Sequence, residues 1–332
     1  MEVKVEKAIE NSLERSAEEL RNFFREKGIA SVEAKRVENQ ILLRVPSESA
    51  DKARELLRSD FSNLVVANSQ VSAGRLELTL ALPENEIRDL RDYAVDQSIE
   101  TIRNRIDQFG VSEPIIQRRG LQDILIQLPG IQDPERAKDI IGKAAVLEFK
   151  LVDETHSVEE AMQKGAPPGL QLLYGVPSRG DGGLGTERIP YLLDARTLMT
   201  GEYIADARVR PSSGLEGPYV ELILNPGGAR IFERITAENV GRRLAIVLDN
   251  RVYSAPVIKE RIGGGRASIT GSFDIKEARD LAIVLRAGAL PAPVEIVEER
   301  TVGPSLGRDS IRQGIASFIV GSSLVLIFMI FY

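Results

Sequence analysis

Apolar positions in this chain follow two periods, and the two periods divide it into helices and strands. Ile9, Leu13, Ala17, Leu20 and Phe24 recur at three- and four-residue steps and predict an amphipathic helix over 6–27, stopped by Gly28. Short strands follow at 31–35 and 40–45. Pro46 opens a helix over 47–58 with Ala50, Ala53 and Leu57 on one side. Strands at 63–67 and 75–82 come next. In the second, Leu76, Leu78, Leu80 and Leu82 alternate with Arg75, Glu77 and Thr79, so one face is buried and the other wet. A long helix spans 83–109 on Ile87, Leu90, Ala94, Ile99, Ile102, Ile106 and Phe109, and Gly110 ends it. Two strands at 114–117 and 123–128 turn around Arg119-Gly120. Asp133-Pro134 then supplies an N-cap and an N1 proline for a helix through 141, stopped by Gly142, before a strand at 144–152. This second run repeats the texture of the first. Two such units side by side predict one wide antiparallel sheet with helices on one face.

The texture changes after Asp153. Residues 163–188 are rich in glycine and proline, with a short apolar stretch at 170–174. Order returns at 191–193 and 219–224, in a helix over 226–240, and in strands 244–248 and 252–257 joined by Asp249-Asn250, a two-residue hairpin signal. A strand at 267–271, a helix that Asp274 and Glu277 open as a capping box and Gly288 closes, and a strand at 294–299 restore the first texture. The expected organisation is therefore α+β. A base (1–152, returning as 263–303) carries an inserted α+β lobe (153–262). A juxtamembrane turn (304–312) leads to a transmembrane helix (313–332). The two crossings between base and insertion are the hinge candidates: Val152 and Asp153 on one side, and Gly263, Gly264 and Gly265 on the other. Three consecutive glycines tolerate large backbone changes.

The closing run changes the picture most. Residues 314–332 contain no charged side chain. About 20 apolar residues in a helix span a hydrocarbon core of roughly 30 Å. No Asp, Glu, Lys or Arg lies within the run, so it offers no ion pathway. Gly314, Ser317 and Gly321 permit close helix approach. The chain lacks a charged-then-apolar leader and stops at the membrane run, so it reads as a piece cut at both ends.

Composition narrows the chemistry. A net charge of −6 over 332 residues argues against a general nucleic-acid binder. The absence of cysteine removes disulfides and thiolate metal sites, and a single histidine, His156, removes most histidine-based acid–base arrangements. Residues 303–307 fit G-x-S-x-G, with Ser305 in the nucleophile position. That elbow needs a parallel sheet and a histidine base, so the match reads as a turn rather than as a membrane-anchored serine hydrolase. Gly180, Gly182 and Gly185 fit G-x-G-x-x-G without the surrounding strand and helix, and read as a loop. His156 among Asp153, Glu154, Glu159 and Glu160 reads as a solvated face rather than a metal site. No cofactor or metal and no enzymatic activity are expected. Leu170, Leu172, Leu173, Tyr174 and Tyr191 form either a small core or an apolar groove for extended polypeptide.

Four segments carry a resemblance. IRNRIDQFGVSEPIIQRRG at 102–120 and LPGIQDPERAKDIIGKAAVLEFKLV at 128–152 resemble the first large extracytoplasmic domain of the SecD family, membrane subunits of the bacterial protein-export machinery. GRRLAIVLDNRVYSAPVIKERI at 241–262 resembles its hairpin block, and LRAGALPAPVEIVEERTVGPSLG at 285–307 the block before its second membrane helix. The motif positions are Arg103, Arg105, Gly110, Pro114, Pro129, Gly130, Asp249, Pro256, Arg286, Gly288, Pro291, Gly303 and Gly307. Residues 1–98 match in texture alone. The resemblance implies a base of ferredoxin-like repeats and a smaller head that moves against it. It implies an accessory subunit of the Sec translocon that binds emerging unfolded preprotein and uses the proton gradient. The implied partners are SecF, the SecYEG channel, YajC, secretory preproteins and membrane lipid. Residues 1–312 would lie on the periplasmic side of the bacterial inner membrane. Proton-coupling residues of the family fall outside these segments, so none is carried over.

Overall fold

The computed structural model describes residues 1–29, 31–72, 74–175, 189–211, 217–271, 273–300 and 304–331, with backbone alone at 304–310 and 331. Two compact units result, Met1–Glu295 and Ile296–Tyr332. The first contains three lobes, each with its own core.

The amino-terminal lobe follows a short strand β1 (Glu2–Val3). It comprises α1 (Val5–Glu26), β2 (Glu33–Val37), β3 (Gln40–Pro46), α2 (Ala50–Asp60), β4 (Val65–Ser72) and β5 (Arg75–Ala81). The strands form an antiparallel sheet in the order β2-β3-β5-β4. Ile41, Leu43 and Val45 face Leu76, Leu78 and Leu80 across the ladder, and Leu13, Leu20, Phe24 and Leu57 from the helices close the core over them.

The middle lobe is built from α3 (Glu84–Phe109), β6 (Ile115–Arg119), β7 (Asp123–Gln127) and α4 (Pro134–Gly142). Its sheet needs strands from distant parts of the chain, in the order β17-β1-β7-β6, where β17 is Val294–Glu295. Val3 pairs with Val294 and Glu2 with Asp123. Both lobes thus share one frame of helix, strand, strand, helix, and the remaining two strands of the middle lobe come from before and after the other elements. This separates what the sequence pattern joined. Two four-stranded sheets form instead of one wide sheet, because β1 and β17 fill the edge of β7 where the first unit would have continued. Helix α3 links the two lobes. Ile87 and Leu90 pack on the first core, and Val95, Ile102 and Ile106 belong to the second.

The head lobe has two sheets. In chain order its elements are β8 (Leu147–Leu151), α5 (Val158–Lys164), β9 (Leu170–Gly175), β10 (Pro190–Asp194), β11 (Met199–Thr200), β12 (Ile204–Arg210), β13 (Tyr219–Leu224), α6 (Pro226–Glu238), β14 (Leu244–Leu248), β15 (Arg251–Ser254), β16 (Arg266–Ile269) and α7 (Ile275–Ala287). A six-stranded sheet runs β10-β9-β15-β14-β8-β11, and a three-stranded one runs β12-β13-β16. Every residue of β14 is buried, as a central strand covered on both faces requires. Its Leu244, Ile246 and Leu248 enter the main head core with Phe149, Leu222 and Phe232, while Ala245 and Val247 enter a smaller core on the other face. Asp249 and Asn250, at φ +49° and +61°, make the expected hairpin turn. The capping box at Asp274 and Glu277 is also present.

The head is larger than the sequence texture indicates. β8 lies within its six-stranded sheet, and β16 and α7 pack within its main core, so its physical limits fall near 144 and 288 rather than at 153 and 262.

The second unit contains α8 (Pro304–Phe331). The expected turn at 304–312 is helical, with Pro304 in the first turn, where proline is well tolerated. Residues Ile311–Ile330 are long and apolar enough to cross a membrane. Phe318 at 75% and Ile330 at 82% exposure show an apolar surface that the chain itself does not cover.

Candidate functional site

The structure gathers its least ordinary chemistry where the chain passes between middle lobe and head, at residues 142–147 and 287–291. The last carbonyls of α4 have no partners within the helix. Arg105 supplies them from the buried side of α3. Its Nη1 donates to the carbonyls of Ile140 (2.9 Å), Ile141 (3.0 Å) and Lys143 (2.5 Å), and its Nη2 donates to the carbonyl of Gly288 (2.9 Å). One fully buried guanidinium therefore caps the negative end of α4 and also binds the residue that ends α7. Burial lowers its pKa to about 10, against the opposing pull of Asp249, so it remains a cation at neutral pH.

Asp249 holds the same crossing from the head side. Its carboxylate accepts the amides of Ala145 (3.1 Å) and Val146 (2.9 Å), and its own amide donates to the Val146 carbonyl (3.1 Å). These bonds fix Ala145 in the left-handed region at φ +62°, which a non-glycine residue adopts only when its surroundings enforce it. The two crossing segments also bond to each other, Leu290 amide to Ala144 carbonyl at 2.9 Å.

Two ion pairs between α4 and the head, and one hydrogen bond from the head to α3, lie at the same junction. Arg136 binds Asp280 on α7 through Nε (3.0 Å) and Nη2 (2.5 Å), with its guanidinium 5.1 Å from the Phe109 ring centroid. Lys276 reaches Asp133 at 3.2 Å. Arg286 donates to Asp206 (2.8 Å), the Ala207 carbonyl (2.5 Å) and Gln108 on α3 (3.3 Å). Burial acts to raise the Asp206 pKa, but hydrogen bonds from Arg208 and Arg286 outweigh it and lower the value below the ordinary 3.8.

The other sequence candidates are distributed differently. Val152 and Asp153 lie within the head sheet and not at the crossing between lobes. The Val152 amide bonds the Arg243 carbonyl (3.0 Å), and the Asp153 amide bonds the Leu192 carbonyl (2.8 Å), both within the head sheet. Gly265 is also inside the head. Its carbonyl accepts from the Leu224 amide, and a Cβ there would meet that of Ala229 at 2.7 Å. Gly263 and Gly264 precede it in the same segment, Gly264 turning at φ +82° with open space around it. The crossings were misplaced because glycine content indicates permitted backbone, not lobe membership.

Leu173 belongs to the small head core, and Tyr191 packs against it. Leu170 and Leu172 are half-buried beside them, and Tyr174 is exposed. β9 and β10 pair these residues, Tyr191 opposite Leu173 and Leu192 opposite Leu172. The pair of strands thus places Leu173 in a small core and leaves Leu170, Leu172 and Tyr174 at its partly exposed edge. Val152, Asp153, Tyr191 and Arg243 do share one cleft of about 460 Å³, where the Arg243 guanidinium lies 5.5 Å from the Tyr191 ring centroid. His156 sits in its wall and bonds Asp153 at 2.8 Å.

Among the motif positions, Arg105, Asp249, Arg286 and Gly288 converge at the junction. Gly110 ends α3 at φ +90°, and Gly130 turns at φ +69° beside exposed Pro129. Arg103 and Pro256 are exposed, and Pro114 and Pro291 are half-buried next to β6 and the return segment. Gly303 and the glycines at 180, 182 and 185 lie outside the described residues; Ser305 and Gly307 fall at the start of α8.

A paired-lobe α+β domain with a double-stranded junction, on a chain that also carries a membrane-length helix, defines a class of membrane-associated, multi-lobe domains. Two family models match within it: the SecDF P1 head subdomain at residues 177–292, and the amino-terminal part of the P1 domain of protein translocase subunit SecDF at 95–154. Together they cover more than half of the chain. The protein translocase subunit SecD of Calditerrivibrio nitroreducens is 46% identical over 99% of this chain and 64% of its own length. That of Syntrophobacter fumaroxidans is 46% identical over 100% of this chain and 63% of its own. A crystal structure of SecDF in a super-membrane-facing form aligns with a TM-score of 0.50 at 38% identity, over 69% of this chain and 31% of the other. The chain belongs to the SecD family of protein translocase subunits. It spans about 64% of the length of these relatives.

Proposed function

We propose that this chain is the extracytoplasmic part of an accessory subunit of the Sec translocon, and that its head rotates about the Arg105 junction while assisting export. The supporting observation is the junction itself. Two chain crossings, one buried cation and two ion pairs join the lobes, and Ile140 and Phe109 of the middle lobe pack against the head core. Main-chain crossings permit rotation, and exchangeable ion pairs at the rim provide alternative resting positions. A binding cycle does work only if affinity for the chain being exported differs between positions.

In this reading the head takes hold of emerging unfolded preprotein and the proton-motive force resets it. SecF, SecYEG and YajC are the partners, and α8 crosses the bacterial inner membrane with residues 1–312 on its outer side.

The test uses the absence of native cysteine in this chain. Cysteines replacing Asp133 and Lys276 in the full-length protein, joined by a reducible bismaleimide, are expected to slow export and to restore it on reduction. Unchanged export in the bridged state rejects rotation at this junction. Crosslinks from head residues 153–262 to an arrested secretory chain distinguish a binder from a passive scaffold.

A further inference from the structure

Strand β4 forms one edge of the amino-terminal sheet, and among the described residues no strand pairs with its outer side. Its sequence, VVANSQVS, has no charge and no proline, and all eight residues are exposed. Edge strands are commonly protected by charge, proline or shortness, because their free amides and carbonyls pair with any strand that approaches. The opposite edge of the same sheet is protected in this way: β2 is five residues long and carries Glu33, Lys35 and Arg36. β4 is longer and lacks these features. Its one irregularity, between Val66 and Asn68, leaves 68–72 as a regular run.

The side chains extend the same picture. Val66 and Val71 stand opposite Leu80 and Leu76, on the face that α1 and α2 cover further in. They remain 51% and 66% exposed. An added strand would find an apolar ledge on this face and a full ladder of main-chain groups along the edge. Both matched family models begin downstream, at 95 and 177, so this edge belongs to a lobe outside them.

We propose that β4 is a docking edge for extended, unfolded polypeptide, which joins the sheet as a fifth strand through main-chain hydrogen bonds. The proposal rests on the export reading above and adds a second contact outside the head. Recognition through the main chain ignores sequence, as a factor that handles many different chains requires. The contact also has the right size for release. Eight residues at about 3.4 Å each give an edge roughly 27 Å long and one strand wide. Stable partners bury roughly 800 Å² per side, more than a single-strand edge offers by itself, so the edge suits one extended strand held transiently.

The test uses the full chain in lipid nanodiscs with a photo-crosslinking residue at Gln70, and in separate preparations at Lys35 on β2 and at Tyr174 in the head. The probe is a ten-residue peptide alternating valine and threonine, beside its fully N-methylated analogue. Adduct is expected at Gln70 and not at Lys35, falling about tenfold or more with the N-methylated peptide and with the Val66→Lys/Val71→Lys variant. Equal adduct from the two peptides, equal adduct at Lys35, or an adduct joining two copies of this chain overturns the proposal. The N-methylated arm needs no variant, so a misfolded lysine variant leaves the test intact. An arrested secretory chain added to the same preparations separates the two readings. Adduct at Tyr174 but none at Gln70 removes the edge and leaves the export role, whereas none at either position removes both.

Discussion

Arg105 shows how much can depend on one side chain. Its four acceptors lie on two stretches of chain, 140–143 and Gly288, and the side chain is fully buried. Arg105→Met fills the space but leaves four carbonyls facing an apolar side chain. The expected loss is about 3–5 kcal/mol, the cost of breaking a buried charged network from one side. Chemical denaturation of the variant measures it, and a loss below about 1 kcal/mol would mean that the carbonyls find other donors. Arg105→Lys should recover only part of the loss, because an ammonium lacks the fork that reaches α4 and Gly288 together. In sequence, Arg105 was visible as one of several arginines in a motif. Its burial was not read from the sequence, although the position carries a signal: Ser98, Thr101, Ile102, Arg105 and Ile106 fall at three- and four-residue steps on one face of α3, and all are buried. A polar residue within an apolar stripe was the mark. Arg103, two residues away, falls on the opposite face and is exposed.

At the scale of elements, periodicity found what alternates and missed what does not. The helices α1 and α3, strand β5 and the Asp249-Asn250 hairpin lie within a residue or two of where the pattern puts them. β4 was legible only as far as Ala67. It continues through Asn68, Ser69 and Gln70 because both of its faces meet water, and a strand exposed on both sides has no reason to alternate. β12 and α5 are seven residues long with three charged positions each, and were equally hidden. Packing distances were beyond the pattern altogether. Gly228, in the first turn of α6, is an example: a Cβ would stand 2.5 Å from that of Tyr203. Gly228→Ala should therefore cost about 1–3 kcal/mol by overpacking, although alanine is the better helix former. A thermal melt reads the sign, and a stabilised variant would mean that Tyr203 moves aside freely.

For the whole molecule, lobe membership was the least legible property. Texture placed β8 and α7 in the base, yet both are built into the head core, since pairing partners are chosen by shape and not by sequence neighbourhood. The same arrangement has a kinetic consequence. The middle sheet closes only when Val294 reaches Val3, across nearly the full length of the first unit. Closing a loop of that length is entropically costly, by about (3/2)RT ln n. Once the head has folded, its two ends are held together by the Ala144–Leu290 bond, and about half of the detour is removed from the path. The expected order is that the head condenses first and the middle sheet is completed behind it. We expect amide-exchange labelling during refolding to protect Ile246 and Val247 before Val3, and simultaneous protection would show that the detour costs nothing.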